Sequence, residues 1–413
     1  MISQDIDRML QPDEARSIVL EKTNVLSPEM VPIDQAGGRI LFDALVADVD
    51  LPAFRASTMD GYAVVHNDDS RHRRIIHHDG FAGSPHDIEI EPGTAARIMT
   101  GAPVPDGATA VVMVENTETR GDEVEIRQDR IGDGENIRPV GSDMRRGDKL
   151  VEAGVRIGPA EIGLLASLGH HTVKVGRRPK VSIFSTGDEL VEPHETPGPG
   201  KIRDSNRFSI AVAARDAGAE VVRVARLADD MDSLRSALAE ALSDSDVLVT
   251  SGGVSMGDRD FVKALLGELA EVHFRRVFMK PGKPLNFATA GEKLIFGLPG
   301  NPVSSLASFE LFVRPALARM QGAPAEASPV VPVIVTEQVQ PSDRIEYQRA
   351  LVWVAEGGIL HAAVNGPQHS ARLASWVGAN ALLIVEPADE ALPPGSMINA
   401  ILLAAPYAAS TSE

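Results

Sequence analysis

The chain has 413 residues, of which 40 are Lys or Arg and 58 are Asp or Glu, so its formal net charge is -18. This length predicts roughly three domains, and the acidic balance excludes a protein that binds nucleic acid or anionic membranes through a basic surface. The absence of cysteine excludes disulfides, thiolate zinc sites and cysteine nucleophiles. Because neither a signal peptide nor a run of about 18 apolar residues is found, we expect a cytoplasmic protein.

The amino-terminal half predicts two helices around a β-rich region. Apolar residues at helical spacing predict a helix over 12–25 and a second one that starts at Pro159 and stops at Gly169. We expect these two helices to pack together. Short apolar runs between Gly, Pro and Asp predict strands over 55–65, 74–76, 95–99, 110–114 and 124–127. We therefore predict a mixed domain, residues 1–50 and 140–177, and a small β domain, residues 51–139.

From Pro179 onward strands and helices alternate, which is typical of a parallel sheet covered on both faces. We predict strands at 181–184, 221–224, 247–249, 272–279 and 294–296, and helices at 206–217, 231–242, from Phe261 and from Pro302. The fold class is therefore a multidomain α/β protein with a central three-layer domain, residues 178–322. Further apolar runs at 331–335, 350–354, 381–385 and 397–403 predict a small carboxyl-terminal β barrel, residues 328–413, with a sandwich as the alternative.

Polar residues cluster where four apolar segments of the α/β domain end. The loops are 185–189, 251–258, 280–283 and 297–305. Because the carboxyl ends of parallel strands meet at one edge of a sheet, we expect a single cleft. Asn301 is expected to cap a helix that begins at Pro302, where free N–H groups favour an anion, and Lys280 and Lys283 add positive charge. These features predict a phosphorylated ligand.

Carboxylates in the same domain predict a divalent cation such as Mg²⁺, shared with a substrate phosphate. The oxygen ligands are supplied by Asp188, Glu189, Asp204, Asp258 and Asp260. A structural interpretation stays open, because Asp204, Asp229 and Asp260 each stand just before a predicted helix and suit its N-cap. The two lysines likewise suit a solvated turn.

Residues 253–257 match the G-x-S-x-G pattern of hydrolases, in which Ser255 would be the nucleophile. That pattern requires a strand that runs straight into the motif and a helix that leaves it at once. Here Ser251 and Gly252 come first, and Asp258 to Asp260 delay the helix. We therefore favour a ligand-binding turn over a hydrolase.

Seven stretches in order match a known family: 58–64, 98–105, 135–138, 185–190, 251–255, 280–284 and 297–304. Through them the chain resembles the molybdopterin molybdenumtransferases, the MoeA-type proteins that include the gephyrin E domain. The resemblance implies an α/β domain of the molybdopterin-binding type and an enzyme of molybdenum cofactor biosynthesis. It implies that molybdate is inserted into adenylylated molybdopterin, with Mg²⁺, and that AMP is released.

The resemblance also implies an elongated homodimer. The mixed domain would form the dimer, and the cleft would lie between the α/β domain of one subunit and the small β domain of the other. The adenylyltransferase and the molybdoenzymes that accept the cofactor are the further partners it implies.

The resemblance implies roles for particular residues. Catalytic roles carry over to Asp60, Thr100, Glu189, Asp229, Asp260 and Lys280, with Glu189 and Asp260 as metal ligands. Substrate contacts carry over to Asp143, Ser251, Gly252, Gly253, Ser255, Arg276, Lys283, Pro299 and Pro302. Arg276 stands where the family often has Lys, and it binds an oxyanion differently because its guanidinium is bidentate. We expect Lys280, Arg276 and helix N–H groups to hold molybdate or phosphate, so that positioning and electrostatics carry the reaction.

Two other functions stay open. One is an ATP-dependent molybdopterin adenylyltransferase, since those enzymes share a similar α/β domain. The length of the chain and the motifs around Asp60 and Thr100 speak against it. The other is a non-enzymatic scaffold, a role that the gephyrin E domain also has.

Overall fold

The computed structural model describes residues 6–77, 88–227, 230–252, 267–324 and 328–408. Contacts between Cα atoms divide the chain into two units, which are described separately. The first comprises Met1–Asp43, Ala153–Ile162 and His171–Glu413, and the second comprises Ala44–Glu152 and Gly163–His170. Among the described residues no helix is long and apolar enough to cross a membrane.

Strands and helices are numbered along the chain. Strands β1 to β27 are Met9–Leu10, Glu29–Pro32, Leu45–Val46, Ala56–Ser57, Gly61–Val64, His72–Ile75, Thr94–Ile98, Ala110–Met113, Thr117–Arg120, Glu123–Ile126, Ile137–Arg138, Lys149–Val151, Thr172–Val175, Lys180–Thr186, Leu190–Val191, Ile202–Arg203, Glu220–Leu227, Val247–Ser251, Glu271–Val277, Met279–Lys280, Pro284–Ala290, Lys293–Leu298, Val330–Val335, Ile345–Val354, Leu360–Val364, Ala381–Val385 and Met397–Leu402. Helices α1 to α6 are Pro12–Glu21, Pro159–Ser167, Asn206–Asp216, Met231–Asp244, Pro302–Ser308 and Arg314–Met320, and a π-helical segment, Phe309–Val313, joins the last two.

A seven-stranded sheet in the order β1-β19-β21-β22-β18-β14-β17 forms the centre of the first unit. Strands β17, β14, β18 and β22 are parallel. Strand β21 is antiparallel to both β22 and β19, so β19 runs in the same direction as β22. The predicted parallel-rich sheet is therefore confirmed, with β21 as an antiparallel strand that the sequence analysis did not assign.

Alternate residues of the central strands enter two different cores, as expected when a strand is buried on both faces. Val247 and Val249 of β18 lie in a cluster with apolar residues of α1, α3 and α6. Leu248 lies in a second cluster with Leu234 and Leu238 of α4. The sheet thus has helices on both faces, which confirms the predicted three layers.

Helix α1 packs on the α/β domain. Its buried residues Ala15 and Val19 belong to the first of these two cores, and its strongest contacts are with β19 and α6. This differs from the expected packing of α1 against α2. The helix also ends at Glu21, short of the predicted end at residue 25, and Thr23, with its low helix propensity, follows the C-cap. Helix α2 has the predicted start, and Gly169 follows it with φ of +82°.

The carboxyl-terminal strands close a barrel. Strands β24, β25, β23, β27 and β26 pair in turn, and β26 pairs with β24 to complete the ring. The predicted barrel is confirmed, and the sandwich alternative is wrong. The short strand β20, which follows β19 of the central sheet, pairs in parallel with the first two residues of β24, ahead of the residues that pair with β25.

In the second unit six strands form a sheet in the order β8-β5-β7-β6-β10-β9. Five of these strands coincide with predicted strands of the small β domain, and β9 was not assigned. Gly61, the first residue of β5, is required by close packing, because a Cβ there would lie 2.0 Å from the carbonyl oxygen of Val112. The residue just before this glycine is Asp60.

Candidate functional site

Four strands of the first unit end at one edge of the sheet. Because β14, β18, β22 and β19 run in the same direction, the polar segments that follow them lie along that edge. The described parts of the four loops are thus at the same edge of the sheet, as expected, and a single cleft formed by all four stays a prediction. Residues 253–260, which include Gly253, Ser255, Asp258 and Asp260, lie outside the described ranges, as do Asp229 and the predicted start of the helix at Phe261.

Asn206, the first residue of α3, joins two of these loops. Its side-chain amide donates one hydrogen bond to Ser251 Oγ and another to the carbonyl oxygen of Gly300, both at 2.7 Å. The Ser251 hydroxyl is buried and lies 3.4 Å from the carbonyl oxygen of Pro299. Asn206 Oδ1 is buried and has no hydrogen-bond partner among the described residues. The ends of β18 and β22 are therefore fixed to each other through α3.

Gly252 is the point of closest backbone approach at this edge. Its φ is +89°, a conformation that favours glycine. A Cβ at this position would lie 2.4 Å from the carbonyl oxygen of Thr186. The turn after β18 can therefore pass the end of β14 only because residue 252 lacks a side chain.

Asp204 has a structural role rather than the role of a metal ligand. Its Oδ1 accepts a hydrogen bond from the backbone N–H of Asn206 at 3.1 Å, at the start of α3. Its Oδ2 accepts the Ser185 hydroxyl and lies 3.1 Å from Arg207 Nε. The carboxylate is almost fully buried, with 1% of the side chain exposed. The N-cap prediction for Asp204 is therefore displaced by one residue: Ser205 is the N-cap of α3, and the Asp204 carboxylate holds the first helical N–H from the position before it.

Asp188 and Glu189 are the exposed carboxylates of the loop after β14. Gly187 has φ of +143°, and a Cβ there would lie 2.7 Å from both carboxylate oxygens of Glu189. Among the described residues no group of three His, Asp or Glu side chains comes together as a metal site. Glu189 alone does not form a Mg²⁺ cage, and its predicted co-ligand Asp260 is outside the described ranges. The magnesium site stays a prediction.

A basic cavity of about 470 Å³ opens beside the turn that carries Lys280. Its positive charges come from Lys280, Lys283 and Arg344, and its polar lining residues include Ser304 and Ser370. Arg344 also donates to the carbonyl oxygen of Met279 at 3.3 Å. The cavity combines cations and hydroxyl donors, which is the chemistry required to bind an oxyanion.

The carboxyl-terminal barrel supplies one wall of this cavity. Asn301 Nδ2 donates to Ser370 Oγ at 3.0 Å, and the N–H of Val303 donates to the carbonyl oxygen of Ser370 at 3.1 Å. Pro302 is the first residue of α5 as predicted, but the Asn301 side chain binds Ser370 and does not cap the helix. Sequence analysis assigned no chemistry to the barrel and missed Arg344, His369 and Ser370. No local pattern marks these residues as neighbours of Lys280.

Arg276 lies on β19, where its strand neighbours are Met9 and Pro284. The guanidinium that lines the cavity belongs to Arg344 instead. Lys280 lies on β20 and pairs with Glu346, whose Oε1 is 3.3 Å from Lys280 Nζ. The two lysines predicted as cleft residues are thus together in one cavity, whereas Arg276 is part of the sheet.

In the second unit, Asp60 and Thr100 form a direct contact. The backbone N–H and the hydroxyl of Thr100 both donate to Asp60 Oδ1 at 2.7 Å. These two hydrogen bonds hold the pKa of Asp60 below its ordinary value, with a smaller contribution from the positive charge of Arg97. Asp60 is solvent-exposed and ionised at neutral pH, so it presents a fixed negative charge.

Asp143 lies in the same unit and forms an ion pair with Arg138. Its backbone N–H donates to the carbonyl oxygen of Leu51 at 3.0 Å. Both charged side chains are 44% exposed. The predicted residues therefore fall in both units: Asp60, Thr100 and Asp143 in the second, and Glu189, Lys280 and the strand-end loops in the first.

The fold defines the class of a multidomain α/β protein, with a three-layer central domain, a small β sheet unit and a closed carboxyl-terminal barrel. Three family models match the chain: the MoeA N-terminal region (domain I and II) over residues 10–169, the probable molybdopterin binding domain over 182–319, and the MoeA C-terminal region (domain IV) over 334–403.

Known proteins resemble the chain over most of its length. A molybdopterin molybdenumtransferase of Haemophilus influenzae is 35% identical, and the match covers 92% of this chain and 95% of that protein. Gephyrin of Dictyostelium discoideum is 36% identical over 96% of this chain and 62% of that protein. The crystal structure of a molybdopterin biosynthesis MoeA protein from Pyrococcus horikoshii has a TM-score of 0.83 and 29% identity, with 96% of this chain and 100% of that chain covered. The chain belongs to the MoeA family of molybdopterin molybdenumtransferases, and the family predicted from its motifs is confirmed.

Proposed function

We propose that this protein inserts molybdate into adenylylated molybdopterin, so that the phosphoanhydride is broken and AMP and molybdenum cofactor are released. The family relationship supports the reaction class. The observation that carries the proposal is the basic cavity at the strand ends, where Lys280, Lys283 and Arg344 surround a volume of about 470 Å³. Such a cavity in a protein of net charge -18 concentrates an oxyanion locally.

Positioning and electrostatics account for the chemistry that these residues support. The lysines and Arg344 neutralise the charge of molybdate and hold it against the bound pterin. Asp60, fixed by Thr100, provides a negative charge of defined position. Neither role requires a covalent enzyme intermediate.

We also propose Mg²⁺ as the cofactor, with Glu189 and Asp260 as its protein ligands. A Mg²⁺ that is shared with substrate phosphates needs only one or two protein carboxylates. The exposed position of Glu189 at the sheet edge supports this proposal. Removal of Mg²⁺ with a chelator should stop AMP release. The variant Glu189→Ala should require a higher Mg²⁺ concentration for half-maximal rate.

The reaction is tested by incubating the protein anaerobically with adenylylated molybdopterin and Mg²⁺, with and without molybdate, and measuring AMP. Molybdate-dependent AMP release supports the transferase. ATP consumption with free molybdopterin would instead support the adenylyltransferase, and neither activity would support the scaffold. Asp60→Ala should lower AMP release strongly. Asp122→Ala is the matched control, since it removes an exposed carboxylate of the same unit that pairs only with His77 among the described residues.

We further propose that the protein acts as a homodimer in the cytoplasm, with Asp60 of one subunit and Glu189 of the other serving the same cleft. The resemblance to the family supports this arrangement. Mixing Asp60→Ala and Glu189→Ala subunits tests it, at a Mg²⁺ concentration at which the Glu189→Ala protein alone is inactive. In a mixed dimer one cleft would carry both substitutions and the other neither, so random mixing should restore one quarter of the wild-type rate. No restoration after subunit exchange would contradict the shared cleft. The adenylyltransferase and the molybdoenzyme acceptors are the partners we expect.

A further inference from the structure

The barrel places a buried carboxylate against the lysine of the basic cavity. Lys280 on β20 and Glu346 on β24 are direct register partners in a parallel pair of strands. Lys280 Nζ lies 3.3 Å from Glu346 Oε1 and 3.4 Å from Glu346 Oε2. The backbone pairing of the two strands therefore fixes the distance between the two charged side chains.

The two side chains differ sharply in exposure. The Glu346 side chain is 3% exposed, whereas 43% of the Lys280 side chain is exposed. Within the described part of the chain, Lys280 is the only hydrogen-bonding partner of the Glu346 carboxylate. The positive charge of the buried Arg349 also interacts with Glu346. Separating Lys280 from Glu346 would still leave the buried carboxylate without its hydrogen-bonding cation, so Glu346 holds Lys280 in place.

A partner that restrains the lysine side chain favours binding of an anion at a defined position. Its ammonium is a compact charge on a flexible four-carbon stem, and immobilising that stem on binding costs conformational entropy. A partner that restricts the stem before the anion arrives removes part of this cost.

Lys280 lines the basic cavity, and it also lines a second cavity of about 460 Å³ together with Glu346. We propose that Glu346 is a positioning residue that restrains the Lys280 ammonium between the two cavities, so that it is ready to bind a tetrahedral oxyanion of the molybdate type in the basic cavity. This inference rests on the proposed function, since it assigns the oxyanion to this cavity. Glu346 itself contacts Lys280 and not the anion.

The direction in which removal of the Glu346 charge changes the affinity for the anion tests the proposal. By Coulomb's law alone, a negative charge beside Lys280 weakens anion binding, so its removal would strengthen binding. Orientation of the ammonium has the opposite effect. If positioning dominates, Glu346→Gln weakens oxyanion binding although the protein loses a negative charge.

The experiment measures molybdate binding by calorimetry in the absence of pterin, together with kcat and KM for AMP release. For Glu346→Gln we expect the molybdate Kd and KM to rise about tenfold, with the KM for adenylylated molybdopterin unchanged. Glu346→Asp keeps the charge but withdraws it by one methylene, and we expect an intermediate Kd. The matched control is Glu356→Gln, which changes an exposed barrel carboxylate that lines neither cavity beside Lys280; its Kd should equal that of the wild type.

A folded Glu346→Gln protein whose molybdate Kd is equal to or lower than that of the wild type would overturn the proposal. If the Gln variant does not fold, the Asp variant decides in the same way, since unchanged molybdate binding there shows that the carboxylate position is irrelevant. Failure of the proposed function gives a different result. In that case the wild-type protein would release no molybdate-dependent AMP, whatever the effect of Glu346.

Discussion

The turn after β18 should not tolerate a side chain at residue 252. Gly252→Ala adds a Cβ at a residue whose φ is +89°, and that Cβ would lie 2.4 Å from the carbonyl oxygen of Thr186, so both the backbone conformation and the steric overlap are unfavourable. The left-handed backbone costs a non-glycine residue about 1–2 kcal/mol. Overlap with packed neighbours typically costs a further ~1–3 kcal/mol, and here the neighbour is backbone, which cannot rotate away. We expect a total loss of about 2–5 kcal/mol in the free energy of unfolding.

Gly291→Ala separates the two costs. Gly291 lies between β21 and β22 of the same sheet and has φ of +59°, but a Cβ there would meet no atom within 4 Å. The Gly291→Ala variant should therefore lose only about 1–2 kcal/mol in the free energy of unfolding, the cost of the left-handed backbone. Differential scanning calorimetry of both variants gives the comparison, and we expect the melting temperature of Gly252→Ala to be lower than that of Gly291→Ala by roughly 2–12 °C.

The activity of Gly252→Ala adds a second measurement. Because Ser251 and Gly300 are held by Asn206 at this turn, a displaced turn should also reduce AMP release well below the temperature of unfolding. If Gly252→Ala is no less stable than Gly291→Ala and fully active, the close approach of the two loops is not a property of the folded protein.

Three further changes test other contacts. Thr100→Val removes the hydroxyl that donates to Asp60, so the pKa of Asp60 should rise toward its ordinary value, which carboxyl NMR titration measures. The stabilisation of the folded protein by this contact is present above the ordinary Asp pKa and is lost as the pH falls through the lowered pKa. Arg349→Lys should lower the free energy of unfolding by ~3 kcal/mol by calorimetry, because the buried guanidinium donates twice to Ser375 Oγ. Arg344→Met should raise the KM for molybdate about tenfold with a smaller change in kcat, and an unchanged KM would remove Arg344 from the anion site.

The parts of the fold that were predicted correctly have strong local patterns. Strands β18 and β22 are buried on both faces and contain the unbroken apolar runs 247–249 and 294–296, and in β14 only Ser182 interrupts the apolar residues 181–184. Strand β21 was missed because it starts at Pro284 and contains the polar residues Asn286 and Thr289. Pairing with β19 and β22, rather than the hydrophobic pattern of its own residues, places this segment in the sheet.

The site shows the same limit more clearly. The strand-end loops could be located because each follows a predictable strand, and Lys280 and Lys283 stand out within a Pro-Gly turn. Arg344, Glu346 and Ser370 could not be assigned, because they face the lysines only after the barrel closes and β24 pairs with β20. Such pairings depend on tertiary structure and leave no periodicity in the local sequence.

The chain leaves the central sheet after β19, pairs β20 with the first residues of β24, and returns to the sheet as β21. Lys280 and its partner Glu346 are 66 residues apart, and the segment between them includes the last two strands of the sheet and helices α5 and α6. During synthesis every strand of the sheet is therefore made before β24, whereas β20 has no strand to pair with until β24 has left the ribosome. The main core of the α/β domain also includes Tyr347 and Leu382 of the barrel strands, so the barrel completes both this core and the basic cavity late in synthesis.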